Sequence, residues 1–210
     1  AGRGLDGGTA RKFRVGFAPD SRDALVKYMA DKDLDPSVLK DSGLVRQTND
    51  GPSSYDFFRG RVIFPILDRR KQVVGFGGRI LGTKTPKYIN SPETDLFKKG
   101  LTLYNVSNAS KSRGSVSALI VAEGYMDVIA LHRAGYTRAV APLGTAITNE
   151  QINLLWRFEA EPVLCFDGDS AGHSAAYRAA MRALPMLKAG HSLSFVFLPD
   201  GHDPDSMVSM

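Results

Sequence analysis

Between residues 117 and 200 apolar runs of strand length alternate with segments of helical period, and the connections between them are short. "SALIVAEG" (117–124) reads as a strand, "YMDVIALHRAG" as a helix closed by Gly135, and "RAVAPLG" (138–144) as a second strand. Thr148 and Gln151 have capping-box spacing at the start of the helix "NEQINLLWRF". Strand "PVLCF" follows, then the alanine-rich helix "AGHSAAYRAAMRALPMLKAG", which Pro185 kinks or ends, and finally strand "SLSFVFLPD" (192–200). A βαβαβαβ order with such short links demands right-handed crossovers, so the expected fold is α/β, a parallel sheet with helices on its faces.

In an open parallel sheet, ligands bind beyond the carboxyl ends of the strands. Here those ends carry Glu123, then Asp167 and Asp169 in "VLCFDGDSAG", then Asp203 and Asp205 just past "FLPDG", while Asp127 follows Glu123 by one helical turn. Carboxylates crowded at one partly buried edge repel one another unless a cation neutralises them. The donors are hard oxygens without Cys or His, which favours Mg²⁺ or Mn²⁺ over zinc or copper. Each acid also has a plain structural reading, since Asp fills turns and Glu often starts helices. The coincidence at three strand ends weighs against that reading, least so for "DGHDPDS", for which a solvated terminal loop stays open.

Charge divides the chain. Residues 1–110 carry 19 Lys and Arg against 12 Asp and Glu, whereas 111–210 carry 8 against 10. The change falls in "NVSNASKSRGS" (105–115), whose composition reads as a loop or linker, so two domains are expected: a smaller basic α+β subdomain over 1–110 and the parallel-sheet domain over 111–210. Cys165 is the single cysteine, reads as a small core residue and excludes both an internal disulfide and a cysteine-rich zinc site. No apolar run is long enough to span a bilayer and no signal-peptide core opens the chain, so a soluble, cytoplasmic protein with no membrane partner is expected.

In the basic half, "SRDALVKYMADK" and "DPSVLKDSGL" read as helices, the second with Asp35 as N-cap, Pro36 at N1 and Gly43 closing it. "RVIFPIL" and "QVVGFGGRIL" read as paired strands joined by "DRRK", with Pro65 forcing an edge position or a bulge. Residues 57–100 hold ten basic side chains against three acidic ones, interleaved with Phe57, Phe58, Phe64, Phe76, Tyr88 and Phe97. Strand alternation buries several of these rings, leaving one or two at most to stack on bases. The charge suits a polyanion bound without sequence preference and in a salt-sensitive way. "RRK" in the hairpin turn reads as a solvated run.

Taken together, "VAEGYMDVIAL", "CFDGDSAG" and "FLPDGHDPDSMV" resemble the acidic motifs of the TOPRIM domain, specifically that of bacterial DnaG-type replicative primases. "FRVGFAPDS", "RGRVIFPILDRRKQVVGFGGRIL" and "TPKYINSPETDLFKKGLTLYN" resemble the polymerase core of the same family, so the likeness runs from about Phe13 to Met210. The resemblance implies a TOPRIM-type sheet and a DNA-dependent RNA polymerase core that makes short RNA primers on single-stranded DNA from ribonucleoside triphosphates. It implies two or more Mg²⁺ or Mn²⁺ ions held mainly by Glu123, Asp167 and Asp169 as catalytic residues, with Asp127, Asp203 and Asp205 assisting and with Glu123 alternatively moving a proton; no zinc is expected in this chain. By the same likeness Arg79, Lys87, Asn90 and Lys99 match positions near template, primer or nucleotide, and Arg61 is grouped with them. The family's zinc-binding and helicase-binding modules are not found in this chain. A catalytic core is therefore expected, meeting the replicative helicase only through a module absent here.

Other readings remain open on the residues. Topoisomerases and nucleases share the TOPRIM acids, although a topoisomerase also needs a nucleophilic tyrosine on a separate domain. A haloacid-dehalogenase-type phosphohydrolase uses strand-then-Asp-x-Asp, but only 41 residues follow Asp169. A non-catalytic single-strand-binding module with structural carboxylates is the alternative outside enzymes.

Overall fold

A computed structural model of the chain describes residues 5–48, 53–110, 118–144 and 146–208. The chain divides into two compact units: one comprises Ala10–Ile66 and Val73–Lys98, the other Ala1–Thr9, Leu67–Gln72 and Lys99–Met210. Elements in the first half are α1 (Gly7–Lys12), β1 (Gly16–Ala18), α2 (Ala24–Ala30), α3 (Pro36–Asp41), β2 (Val45–Gln47), β3 (Ser54–Asp56), β4 (Arg61–Leu67), β5 (Val73–Ile80) and β6 (Tyr88–Asn90). Then follow α4 (Val106–Ala109), β7 (Ile120–Val121), α5 (Tyr125–Arg133), β8 (Ala139–Val140), α6 (Asn149–Trp156), β9 (Val163–Phe166), α7 (Ser170–Ala183), β10 (Ser194–Phe197) and α8 (Pro204–Met207).

The basic unit is built on a four-stranded sheet, β1-β4-β5-β6, beside a two-stranded ribbon of β2 and β3. Asp35 caps α3 by accepting the Ser37 N–H at 2.8 Å, Pro36 opens the helix, and Gly43 beyond it has φ +70°. At α2 the local cap, Asp23, makes no capping bond with its side chain, which pairs instead with Lys27 at 3.1 Å. Asp56 at the end of β3 does that job across the fold, its buried carboxylate accepting the Leu25 and Val26 N–H groups at 2.7 and 3.2 Å. Pro65 lies in an inner strand, yet β1 pairs only with residues 61–63, so the proline sits in a stretch of β4 that β1 does not cover. A donor-less residue is tolerated there for the same reason as at an edge.

The other unit is the alternating region. Its sheet runs β10-β9-β7-β8, with β7 to β8, β7 to β9 and β9 to β10 all parallel. Thr148 and Gln151 form the capping box of α6, and α7 ends at Ala183, where Pro185 tightens the chain into a 3-10 turn. Val121, Val140, Leu164 and Phe166 from the sheet and Leu119 just before β7 pack with Ile152, Leu155, Ala176 and Ala179 from the helices in one buried cluster.

The expected linker at 105–115 differs from the structure in its first half; residues 111–115 lie outside the described residues. Val106 and Ala109 of α4 belong to the buried cluster, Asn105 donates to Ala139 O at 2.8 Å and Tyr104 N–H donates to Ala141 O at 2.8 Å. The polar side chains of Asn105 and Ser110 bind backbone carbonyls here, so the Ser and Asn content does not mark a loose segment. Among the described residues no helix is long and apolar enough to cross a membrane.

Candidate active site

Parallel neighbours end on the same edge, so the residues after β7, β9 and β10 emerge together. Gly168 and Gly172 explain the glycines of "DGDSAG" by close approach: a Cβ on Gly168 would run into the carbonyl oxygens of Leu198 and Pro199, and one on Gly172 into that of Asp167. The chain beyond β10 is thereby pressed against the turn that carries the Asp pair. Asp169 is the N-cap of α7, with Oδ1 accepting the Gly172 N–H at 2.8 Å. Asp167 donates its backbone N–H to Glu123 Oε1 at 3.3 Å, tying the ends of β9 and β7. Asp127 stands in the first turn of α5, which packs against α8. Asp203 caps α8 in a reciprocal box with Ser206, accepting its N–H at 2.7 Å, and Asp205 is buried in the same turn.

Burial and mutual repulsion act together on these acids. Burial pushes the Asp127 carboxyl up to about 7, with the charges of Asp167, Asp203 and Asp205 adding to it and the Gly124 N–H opposing. Asp167 is pushed up to about 6, first by burial and then by Glu123, Asp203 and Asp169. Burial, then the charges of Asp127, Asp167 and Glu123, raise the Cys165 thiol to about 11 and leave it an inert core group. Asp167 Oδ1 is buried and has no hydrogen-bond partner among the described residues. A buried carboxylate oxygen without a donor is costly, and an oxygen-seeking cation satisfies it. Among the described residues no three His, Cys, Asp or Glu side chains are arranged to hold a metal as they stand. The donor chemistry nevertheless fits a hard divalent ion, with Asp167 as the open position.

The basic candidates separate. Lys87 is exposed at the end of the 81–87 loop. Arg79 and Tyr88 are register partners on β5 and β6, with the guanidinium carbon 5.7 Å from the ring centroid and Nε buried without a hydrogen-bond partner among the described residues. Asn90, half-buried, pairs with Gly77 across the same two strands. Arg61 is not where a phosphate contact would be: it is buried, and its guanidinium donates to Pro86 O at 3.0 Å and to Lys87 O and Gly78 O at 3.3 Å. Burial lowers its pKa. Its effect is to hold the backbone that presents Lys87. Lys99 belongs to the other unit, in a 3-10 turn whose carbonyls are gripped by α6: Gln151 Nε2 donates to Lys99 O at 3.0 Å and Thr148 Oγ1 to Gly100 O at 2.6 Å. Of the aromatic rings, Phe64, Phe97 and Phe58 are core, and Tyr88 is exposed.

Three supporting groups were not legible in the sequence. Arg61 looks like one more surface cation; Gln151 looks like a cap, although its amide is wholly buried and also donates to Thr102 O at 2.8 Å. Arg178 lines a cavity of about 350 Å³ with Glu123, Cys165 and Phe166. The signal for it was the Ala175, Arg178, Ala179 face of α7, which sets one cation among residues small enough to leave space.

Comparison with known proteins agrees with this geometry. Residues 1–110 match the family model described as DNA primase catalytic core, N-terminal domain, and residues 117–197 match the Toprim domain. The chain belongs to the DnaG-type primase catalytic core family. It is 47% identical over 207 residues to a DNA primase of Pseudomonas aeruginosa, covering 99% of this chain and 31% of that protein. Among solved structures, a DNA primase domain from Pseudomonas aeruginosa superposes with a TM-score of 0.92 at 46% identity, covering 99% of this chain and 65% of that one. A DnaG primase catalytic domain bound to single-stranded DNA gives 0.87 at 46% identity, covering 99% and 66%. The chain thus spans about a third of the length of the curated primase it matches. Membership of the Toprim family implies use of a divalent metal.

Proposed function

We propose that this chain catalyses DNA-templated synthesis of short RNA primers, joining a primer 3′-hydroxyl to the α-phosphorus of a ribonucleoside triphosphate with release of pyrophosphate. The observation that carries the reading is the buried, donor-less Oδ1 of Asp167 at an edge where five further carboxylates converge electrostatically. Asp167, Asp169 and Glu123 would hold Mg²⁺ or Mn²⁺, with Asp127, Asp203 and Asp205 completing the negative field. When bound, such ions acidify the attacking hydroxyl and offset charge on the triphosphate. Glu123 uses one oxygen to fix the Asp167 backbone, which leaves the other for a ligand role.

The residues over 1–110 would supply the polyanion site and those over 111–210 the metal edge. Lys87 is a phosphate contact; Arg79, preorganised on Tyr88, takes a template or nucleotide phosphate; Lys99 is held for the same purpose by the α6 cap. Asn90 lines that strand, and Arg61 acts through Lys87 as a positioning residue. The solved relative bound to single-stranded DNA supports a single-stranded template as the partner here.

The test is primer synthesis from ribonucleotides on a single-stranded template with Mg²⁺ or Mn²⁺. Asp167→Asn should lose activity by at least about a thousandfold, about 4 kcal/mol of barrier, while template affinity stays within about twofold. Near wild-type synthesis by that variant would sink the assignment.

A further inference from the structure

The "DRRK" turn between β4 and β5 reads in the sequence as a solvated charge run, and the structure gives it a different setting. Leu67–Gln72 clusters with the Toprim unit, where Asp68, Arg69 and Arg70 close a cavity of about 960 Å³ together with Ser110, Trp156, Arg157 and Phe158. Arg69 lies over the Phe158 ring, its guanidinium carbon 5.5 Å from the centroid. Among the described residues the one acid in the lining is committed to the turn, since Asp68 Oδ1 accepts the Arg70 and Gln72 N–H groups at 2.8 Å each. Glu159, next to the cavity, is paired with the buried Arg138 at 2.9 Å. Among the described residues none of Arg69, Arg70 and Arg157 is in an ion pair, and all three are exposed.

This cavity lies at the edge of the sheet opposite the carboxylates. Phe158 O accepts from Arg138, the residue before β8, and Trp156 Nε1 donates to Ser192 O, just before β10, so the floor is built on the amino ends of the strands. We propose that it is a second nucleic-acid site, which holds a single-stranded segment by its phosphates away from the acidic edge. Guanidinium forks match phosphate oxygens, and Arg69 is already oriented by the ring beneath it. Trp156, half-buried and 5.4 Å from the His191 ring, lines the same cavity and so senses what enters it. The volume falls at the large end of the roughly 300–1,000 Å³ range of small-ligand pockets, more than one phosphate fills, so an extended polyanion suits it better than a free ion. The inference stands apart from the chemistry proposed for the carboxylates.

Trp156 is the only tryptophan, so the intact chain carries its own reporter. Titration with oligothymidylates of increasing length should quench Trp156 emission, with affinity rising once the strand can reach both edges. The variant carrying Arg69→Gln, Arg70→Gln and Arg157→Gln should lose the quenching, bind long strands about tenfold more weakly and show a log–log salt slope smaller by about 2 units, at about 0.7 per lost phosphate contact. Asp167→Asn should keep the quenching, which separates this site from the metal edge. The proposal is overturned by an unresponsive Trp156 in the unaltered chain, by an unchanged salt slope in the triple variant, by saturation with a nucleoside triphosphate alone, or by polyglutamate binding as tightly as the strand, which would make this a site for acidic peptides.

Discussion

Asp127 and Asp167 make the folded protein sensitive to pH in a direction opposite to that of ordinary salt-bridged carboxylates. Their folded pKa values, about 7 and about 6, lie above the ordinary 3.8, first because of burial and then because of neighbouring acids. The folded state therefore binds more protons than the unfolded chain between these values. The stability they contribute is fully present below about pH 4 and is lost as pH rises through 6 and 7. Without divalent metal, stability attributable to this edge should fall from pH 5 to pH 8, and Asp127→Asn should flatten that fall; melting in a chelator at constant ionic strength measures both. A rise across the window in the unaltered chain, with no change in Asp127→Asn, would refute the clustering. Arg61 offers a second contrast at this scale. Arg61→Met removes the donor to three carbonyls and should cost about 2–3 kcal/mol of stability as well as nucleotide affinity, whereas Lys87→Ala should cost affinity alone. Paired denaturation and binding curves distinguish them.

Elements sort the two jobs that one Asp performs. Asp169 caps α7 and also faces the acidic edge, so Asp169→Ala confounds loss of the cap, about 1 kcal/mol, with loss of a ligand. Asn caps as well as Asp, so Asp169→Asn should melt within about 0.5 kcal/mol of the wild type yet lose primer synthesis, and the comparison of the two variants assigns each effect. Gly168→Ala should cost about 2 kcal/mol or more, because its Cβ meets two backbone carbonyls that cannot step aside. The order of strands and helices was legible because a half-buried helix and a buried strand leave different periods, and the positions of Glu123 and the Asp pair followed from the strand ends. What was not legible are contacts made across the fold. The cap on α2 comes from Asp56, 31 residues along. The grip on Lys99 comes from Gln151, and Val106 and Ala109 are core residues set among Ser and Asn. Local composition carries no trace of a partner that far away. Arg61 shows the same blindness in reverse, since a cation among ten reads as surface until its donors are traced.

For the whole molecule, the acidic edge means that a cation should act on folding as well as on chemistry. Glu123, Asp127, Asp167, Asp169, Asp203 and Asp205 gain proximity only when β7, β9 and β10 are assembled, so their mutual repulsion opposes the folded state in metal-free buffer. A divalent ion that binds this arrangement and not the unfolded chain stabilises it by mass action, about 2.7 kcal/mol at a hundredfold excess over its dissociation constant. Screening by monovalent salt weakens repulsion between exposed charges but cannot supply a ligand for the buried Asp167 oxygen, so Na⁺ of equal ionic strength should raise the melting temperature less. Replacing Asp167 and Asp169 together by Asn keeps the α7 cap while removing two charges. That variant should melt higher than the wild type without metal, because repulsion is relieved, and should show little response to Mg²⁺ beyond that to Na⁺. The measurement is thermal melting of both proteins in Mg²⁺ and in matched Na⁺. Equal Mg²⁺ responses from the two would mean that the carboxylates share an edge without sharing a cation.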